Sequence, residues 1–120
     1  MSVIVKATPE FRPEASRTGL YVFSYHICLE NHTSDTLQLL TRHWKIQDGE
    51  GQTIQVDGEG VVGLQPIIDP GKHFEYSSWV QIEHVPGVMQ GHYLCVTGEG
   101  ASLRVEIPAF VLKLPGTLLN

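Results

Sequence analysis

Apolar and polar residues alternate with a period of two over most of this chain, and turn residues interrupt the alternation at short intervals. The clearest case is a stretch in which large apolar residues occupy every second position: Tyr21, Phe23, Tyr25, Ile27 and Leu29. No segment of a dozen residues keeps apolar positions at helical spacing between recognisable caps. The pattern therefore predicts an all-β protein.

The alternation predicts seven or eight short strands. We place them near residues 3–8, 20–31, 37–48, 53–56, 72–83, 90–97 and 102–107, with further strand-like residues at 110–112. Pro9 is expected to lie in a loop after the first strand, and Pro108 to end the strand at 102–107. Short antiparallel strands in this number fit two sheets packed face to face, and a small barrel is the alternative.

The third predicted strand changes parity within its length. Leu37 and Leu39 share one face, whereas Trp44 and Ile46 fall on the other unless an extra residue intervenes. A bulge near residues 39–41 restores all of them to one face and makes Trp44 a core residue. In the strand near residues 72–83, Trp79 is expected on the outer side.

Two cysteines raise the question of a disulfide, because Cys28, Trp44, Tyr93 and Cys95 follow the order found in antibody domains. The alternation around Cys28 argues against the bridge, since this residue falls on the face opposite to the large apolar side chains. We therefore expect two free thiols, which is the usual state in the cytosol.

Length and composition predict one domain over residues 1–120, with an ordered core at about 3–112 and a frayed tail at 115–120. Apolar residues make up 42% of the chain and charged residues 18%, enough for a core. The net charge of −5, with 8 scattered Lys and Arg residues, excludes a basic surface for nucleic acid. Residues 1–6 resemble no secretion signal and no apolar stretch reaches membrane-spanning length, so we expect a cytoplasmic protein without membrane contact.

One motif carries a possible binding chemistry. Residues 58–63 match the pattern GxGxxG, and their members are Gly58, Glu59, Gly60, Val61, Val62 and Gly63. In dinucleotide-binding folds this pattern precedes a helix whose N-terminus holds pyrophosphate. Here two prolines follow within residues 64–70, and the acidic Asp57 and Glu59 disfavour phosphate. A tight loop is the simpler interpretation, and a backbone nest for an anion remains the alternative.

Catalytic and metal-binding patterns are weak. None of the six histidines has a recognised metal-ligand spacing, and neither cysteine has a close cysteine partner. The candidate nucleophiles Ser77, Ser78 and Cys28 have no nucleophile elbow around them. We predict no catalytic residues, no cofactor and no dedicated metal site, and therefore a protein that is not an enzyme.

Several segments, taken in order, resemble the bacterial ApaG family. They are YVFSYHICLEN, LLTRHWKI, GEGVVGLQP, PGKHFEYSS, PGVMQGHY and IPAF. The resemblance covers about residues 3–112, and its most specific parts are RHW at 42–44 and GxGVVG at 58–63 with Pro66 following. The chain departs from the family pattern at Trp79 and Val80, where relatives tend to carry small or polar residues.

The resemblance implies an immunoglobulin-like or fibronectin type III-like sandwich that binds a protein partner, as yet unidentified, through its loops. It also implies an alternative, a nucleotide or divalent-metal protein using residues 58–63, because family members are linked to diadenosine tetraphosphate metabolism and to cobalt and magnesium resistance. We take Arg42, His43 and residues 58–63 as the candidate interaction surface. Alternation places His43 on the outer face, whereas Arg42 either recognises a partner at the rim or braces the loop through backbone carbonyls.

Overall fold

Strands dominate residues 2–116, the part of the chain that the computed structural model describes. The strands are β1 (Val3–Phe11), β2 (Tyr21–Asn31), β3 (Leu37–Gln47), β4 (Thr53–Glu59), β5 (Ile67–Ile68), β6 (His73–Ile82), β7 (Gly87–Thr97) and β8 (Ser102–Leu112). A single 3-10 turn of helix, Pro13–Ala15, follows β1. Most of the tail expected to fray, residues 117–120, lies outside the described residues.

The strands form two antiparallel sheets. The smaller sheet has the order β1-β2-β6, and the larger has the order β4-β3-β7-β8, with the short β5 also paired to β3. Side chains from the two inner faces meet to form one core. The predicted all-β sandwich of the immunoglobulin-like, fibronectin type III-like class is thereby confirmed, with eight strands.

The core follows the alternation seen in the sequence. On β2, Phe23, Ile27 and Leu29 are no more than 1% exposed, and all three face the larger sheet. From that sheet Trp44 inserts its ring edge-on against Tyr25 at 5.4 Å between ring centroids. Burial of these aromatic rings supplies much of the apolar area that stabilises the fold.

The predicted bulge in β3 is present. The register between β3 and β7 shifts between Leu39 and Thr41, so Leu40 is the extra residue. Leu39 is fully buried and Trp44 is 2% exposed, although their positions differ in parity. The bulge is what allows both ends of β3 to contribute to one core.

Two strands continue past prolines at which they were predicted to end. β1 continues through Pro9 to Phe11, and β8 continues through Pro108 to Leu112. β1 is an edge strand, in which a proline is tolerated where its missing N–H would not face a neighbour. Pro108 lies where the register of β8 on β7 shifts, and a residue in such a bulge needs no ladder bond.

Both cysteines are free thiols, as predicted. Cys28 lies half-buried on the outer face of the smaller sheet, and Cys95 is buried in the core. Burial raises the pKa of the Cys95 thiol to about 11. Cys95 is therefore a core residue with little thiolate at neutral pH.

Replacement of Trp44 tests this core. We expect Trp44→Ala to lower the free energy of unfolding by about 3–5 kcal/mol, because a large cavity forms. Trp44→Phe should cost less, since it keeps an aromatic ring and removes an indole N–H that is buried without an acceptor among residues 2–116. Denaturant unfolding measures both, with the 59% exposed Trp79→Ala as the control. Equal losses for Trp44→Ala and Trp79→Ala would contradict the placement of Trp44.

Candidate functional site

The segment predicted as a glycine loop is a shorter turn. Gly58 and Glu59 belong to β4, where they lie opposite Arg42 and Thr41 of β3. Only after Glu59 does the chain leave the sheet edge, cross residues 60–64 and return as β5. We call residues 60–64 the 60–64 turn. The first two residues of the predicted loop are therefore the end of a strand, and the other four lie in the turn.

Two reciprocal backbone bonds close this turn. Val61 N–H donates to the Leu64 carbonyl at 2.8 Å, and Leu64 N–H donates to the Val61 carbonyl at 2.9 Å. The residues between them have positive φ, 44° at Val62 and 80° at Gly63. A β-branched residue rarely adopts this backbone conformation, so Val62 is strained.

The two valines of the turn face opposite ways. Val61 is fully buried in the core, whereas Val62 is 55% exposed. Val61 was predicted as part of the interaction surface, but its side chain is not accessible to a partner. Its role is to anchor the turn, and Val62 is the residue that the turn presents to solvent.

The glycine pattern serves the backbone of the turn. Gly60 has a φ of 62°, and a Cβ added there would lie 2.1 Å from the Leu64 carbonyl oxygen. The Gly60 amide donates to the Leu40 carbonyl at 2.8 Å, so the amides of Gly60, Val61 and Leu64 all bond within the protein. These bonds occupy much of the donor capacity that an anion nest would need.

Arg42 braces the start of the turn. Its side chain shares the inward parity of Trp44, and Nη1 donates to the carbonyls of Glu59 at 3.0 Å and Gly60 at 2.9 Å. The guanidinium lies directly over Gly58, where an added Cβ would be 2.6 Å from Arg42 Cζ. The absence of a side chain at Gly58 is what makes room for the guanidinium. These contacts match the alternative in which Arg42 braces the loop through backbone carbonyls.

His43 lies on the opposite face of β3, as strand alternation predicts. The register places four side chains in one row across the outer face of the larger sheet: Asp57, His43, His92 and Glu106. His43 Nδ1 contacts Asp57 Oδ1 at 2.5 Å. The His43 and His92 rings stack with centroids 5.0 Å apart. This row could not be predicted from the sequence, because it depends on the register of four strands.

The environment lowers the pKa of His92. Desolvation is the largest cause, and the positive charges of Arg104 and His43 add to it. Glu106 and Asp57 act in the opposite direction but do not cancel the effect. His92 therefore favours the neutral ring, which stacks on His43 without charge repulsion.

A second polar arrangement lies on the outer face of the smaller sheet. His26 contacts Ser77 Oγ through Nδ1 and Glu75 Oε1 through Nε2, each at 2.9 Å. The chain of serine, histidine and carboxylate has the composition of a hydrolytic triad. However, the His26 side chain is 46% exposed on an open sheet surface, where water screens the electrostatic interactions that activate a nucleophile.

Within residues 2–116, no three His, Cys, Asp or Glu side chains are grouped closely enough to hold a metal ion. The same part of the chain contains no helix of the length and apolar character needed to span a membrane.

Exposed apolar residues concentrate beside the 60–64 turn. Of nine large apolar side chains that are exposed in residues 2–116, three lie here: Val62, Leu64 and Ile67. Leu64 and Ile67 were not among the predicted site residues. Their apolar character in a turn region was visible in the sequence, but their exposure depends on how the turn is anchored.

Comparisons with known proteins identify the relatives of this chain. The sequence profile of the ApaG domain matches residues 12–97. Protein ApaG of Xanthomonas oryzae pv. oryzae is 46% identical over 118 residues, which cover 97% of this chain and 93% of that protein. Protein ApaG of Xanthomonas axonopodis pv. citri has the same identity and coverage. The crystal structure of a putative ApaA protein from Bordetella pertussis superposes with a TM-score of 0.93 at 40% identity, covering 97% of this chain and 96% of the other.

A double-mutant cycle tests the bracing by Arg42. We expect Arg42→Ala to lower the free energy of unfolding by about 1–3 kcal/mol, because two carbonyls lose a charged donor. Gly58→Ala should also destabilise, since its methyl group displaces the guanidinium, but it should cost much less in the Arg42→Ala background. Denaturant unfolding gives the coupling, and Lys45→Ala, on the outer face of β3, is the control. Strictly additive losses would contradict the arrangement.

The titration of His92 tests the histidine row. We expect its midpoint, followed by NMR, to lie below the ordinary value of 6.5, and Arg104→Gln to raise it while Arg17→Gln leaves it unchanged. A depressed pKa means that the folded chain binds this proton less tightly than the unfolded chain. The contribution of His92 to stability therefore falls as the pH is lowered through 6.5 towards the folded-state pKa. A midpoint at or above 6.5 would contradict the lowering of the His92 pKa by desolvation and nearby positive charges.

Proposed function

The chain belongs to the ApaG domain family, and on that premise we propose that it is a non-enzymatic binding module for a protein partner. The recognition surface is the 60–64 turn together with the neighbouring Leu64-to-Ile67 segment. Arg42 supports this surface from beneath, and His43 borders it on the outer face.

The observation that carries the proposal is the exposed apolar surface on a fixed backbone. Val62, Leu64 and Ile67 are 55%, 53% and 66% exposed. A mobile loop would lose conformational entropy on binding, whereas this turn is held by its reciprocal bonds and by Arg42. Apolar side chains preorganised in this way are typical of protein interaction sites.

The strain at Val62 supports the same conclusion. Glycine or asparagine adopts a positive φ at a lower cost, yet a valine occupies the position with more than half of its surface in solvent. An exposed valine gains little from core packing, so the Val62 side chain itself does not offset the strain within the described fold. Contact with a partner supplies the missing burial.

A nucleotide or metal ligand is a weaker candidate for this site. The amides of Gly60, Val61 and Leu64 already bond to backbone carbonyls. The carboxylates of Asp57 and Glu59 stand beside the turn, and the chain carries a net charge of −5. These charges oppose the approach of a phosphate group. We place the module in the cytoplasm, in agreement with its two free thiols.

A charged substitution at the tip of the turn tests the proposal. The tagged protein is used to capture partners from cell extract, and their recovery is quantified by mass spectrometry. We expect Val62→Asp to reduce recovery about tenfold or more, since a carboxylate enters an apolar contact. Its melting temperature should stay within a few degrees of wild type, because aspartate tolerates positive φ.

Val111→Asp is the matched control, since Val111 is another exposed valine on a distant strand. It should retain full recovery. Equal recovery of the same partner by wild type, Val62→Asp and Leu64→Asp would exclude this surface.

A further inference from the structure

The two sheets of the sandwich differ in width, and among residues 2–116 no strand of the smaller sheet lies opposite β4. Ile54 and Val56 of β4 lie opposite Ile46 and Trp44 of β3, so their side chains point to the inner face. Ile46 and Trp44 are buried, yet Ile54 is 55% exposed and Val56 is 37% exposed. β4 therefore extends past the edge of the smaller sheet and leaves an apolar inner surface uncovered.

The edge of the smaller sheet beneath this surface is β6, which pairs only with β2 in the described chain. Asn31 of β2 directs its N–H and carbonyl to the β6 side, where they bond Lys72 and Gly71. The Val22 carbonyl instead bonds the Arg12 amide on the β1 side. By the alternation of antiparallel ladders, odd-numbered residues of β2 bond β6.

The register then identifies the free groups of β6. Odd-numbered residues of β2 pair with even-numbered residues of β6. The backbone groups at the open edge thus belong to the odd-numbered residues of β6: His73, Glu75, Ser77, Trp79 and Gln81. An exposed row of unpaired N–H and carbonyl groups is a template for another strand.

The apolar surface and the free edge face the same space. A cavity of about 190 Å³ is lined by Ile46 and Ile54 from the larger sheet and by Gln81 and Ile82 from the smaller one. A strand added to β6 would lie under β4. Its inward side chains would cover Ile54 and Val56 and extend the core.

The two ends of this groove differ in charge. Asp48 and Glu83 line the end near Ile54. The other end, near Gly58, holds the guanidinium of Arg42. Nη1 makes the hydrogen bonds of this group, which leaves Nε and Nη2 without an acceptor among residues 2–116. A ligand that matches both ends carries a positive charge near Glu83 and a carboxylate near Arg42.

We propose that the groove between β4 and the free edge of β6 binds an extended peptide segment of a partner protein as an added β-strand. The segment alternates Val, Ile or Leu with polar residues, carries Lys or Arg at the Glu83 end, and carries a carboxylate at the Arg42 end. Backbone bonds to β6 provide affinity, and contacts with Ile54 and Val56 select the side chains. This inference deepens the proposed function, because it assigns a second contact to the same kind of partner.

A second copy of this chain fits the groove less well. Pairing of β6 with β6 of another copy would bring two overhanging β4 strands to the same side of a continuous sheet. Each β4 would then occupy the space into which the other projects. A free peptide strand has no second sheet attached and avoids this collision.

The probes are nine-residue peptides in which valine alternates with threonine between a terminal lysine and a terminal glutamate, synthesised in both orientations. Binding to the purified full chain is followed by NMR. We expect saturable shifts centred on Trp79, Gln81 and Ile54, with new hydrogen-exchange protection of the Trp79 and Gln81 amides. N-methylation of alternate peptide residues should abolish binding when it blocks the groups facing β6, and spare it on the other side.

Two variants with matched controls test the groove. Gln81→Pro removes a free-edge N–H, which an edge strand tolerates, whereas Gln81→Thr keeps it. Ile54→Lys places a charge on the apolar surface, and Ile4→Lys makes the same change at another exposed isoleucine, on β1 at the opposite edge of the smaller sheet. We expect Gln81→Pro and Ile54→Lys each to weaken peptide binding about tenfold or more, and both controls to bind as wild type.

Several results would overturn the inference. These are no saturable binding by either peptide, equal binding by Gln81→Pro, or shifts confined to the 60–64 turn. A dimer of the chain in sedimentation that Ile54→Lys and Gln81→Pro both dissociate would assign the groove to a second copy instead. Because the peptides are tested on purified protein, failure here leaves partner capture through Val62 intact, and loss of that capture leaves peptide binding intact.

Discussion

One extra residue in β3 determines where the chain can present a binding surface. Leu40 interrupts the register between β3 and β7, and its carbonyl is turned to the open edge of the sheet. There it accepts the Gly60 amide at 2.8 Å and the Gln65 side-chain amide at 3.0 Å. The bulge thus ends the pairing with β4, fixes the 60–64 turn and allows β5 to return to the same strand. Without it, Leu39 and Trp44 would face opposite sides of the sheet.

The same bulge sets the direction of the Arg42 side chain. Arg42 lies two positions beyond Leu40 and points to the inner face, at the side of the sandwich that the smaller sheet leaves uncovered. A charged group there needs acceptors, and the carbonyls of Glu59 and Gly60 provide them. The bare backbone of Gly58 allows the approach. The same positive charge favours ionisation of the nearby Tyr25 and Tyr76, but burial dominates and raises the pKa of both phenols. Arg42 therefore lies near two phenols that stay neutral.

The sequence was sufficient for those features that depend on one strand alone. Alternation in β2 identified Phe23, Ile27 and Leu29 as core residues, and the parity change in β3 identified the bulge and Trp44. The strand ends at Pro9 and Pro108 were wrong, because a proline is harmful only where a neighbour needs its N–H, and the neighbour is not visible in the sequence. The predicted extent of the glycine loop was wrong for a similar reason. Gly58 and Glu59 are residue types typical of a loop, and only their pairing with β3 makes them part of a strand.

The candidate site was harder to predict, because its properties depend on how the strands pair and how the two sheets pack. Ile54 and Val56 alternate with polar residues as buried residues do, and they are exposed because the described part of the smaller sheet does not reach β4. Val61 and Val62 are adjacent and chemically identical, yet the turn sends one into the core and the other into solvent. Arg42 lies between these two apolar surfaces, with Nη1 bound to the turn and Nε and Nη2 without an acceptor among residues 2–116. A carboxylate bound at Nε and Nη2 would share the guanidinium with the carbonyls of Glu59 and Gly60, so occupation of the groove and the rigidity of the turn are physically linked through this side chain.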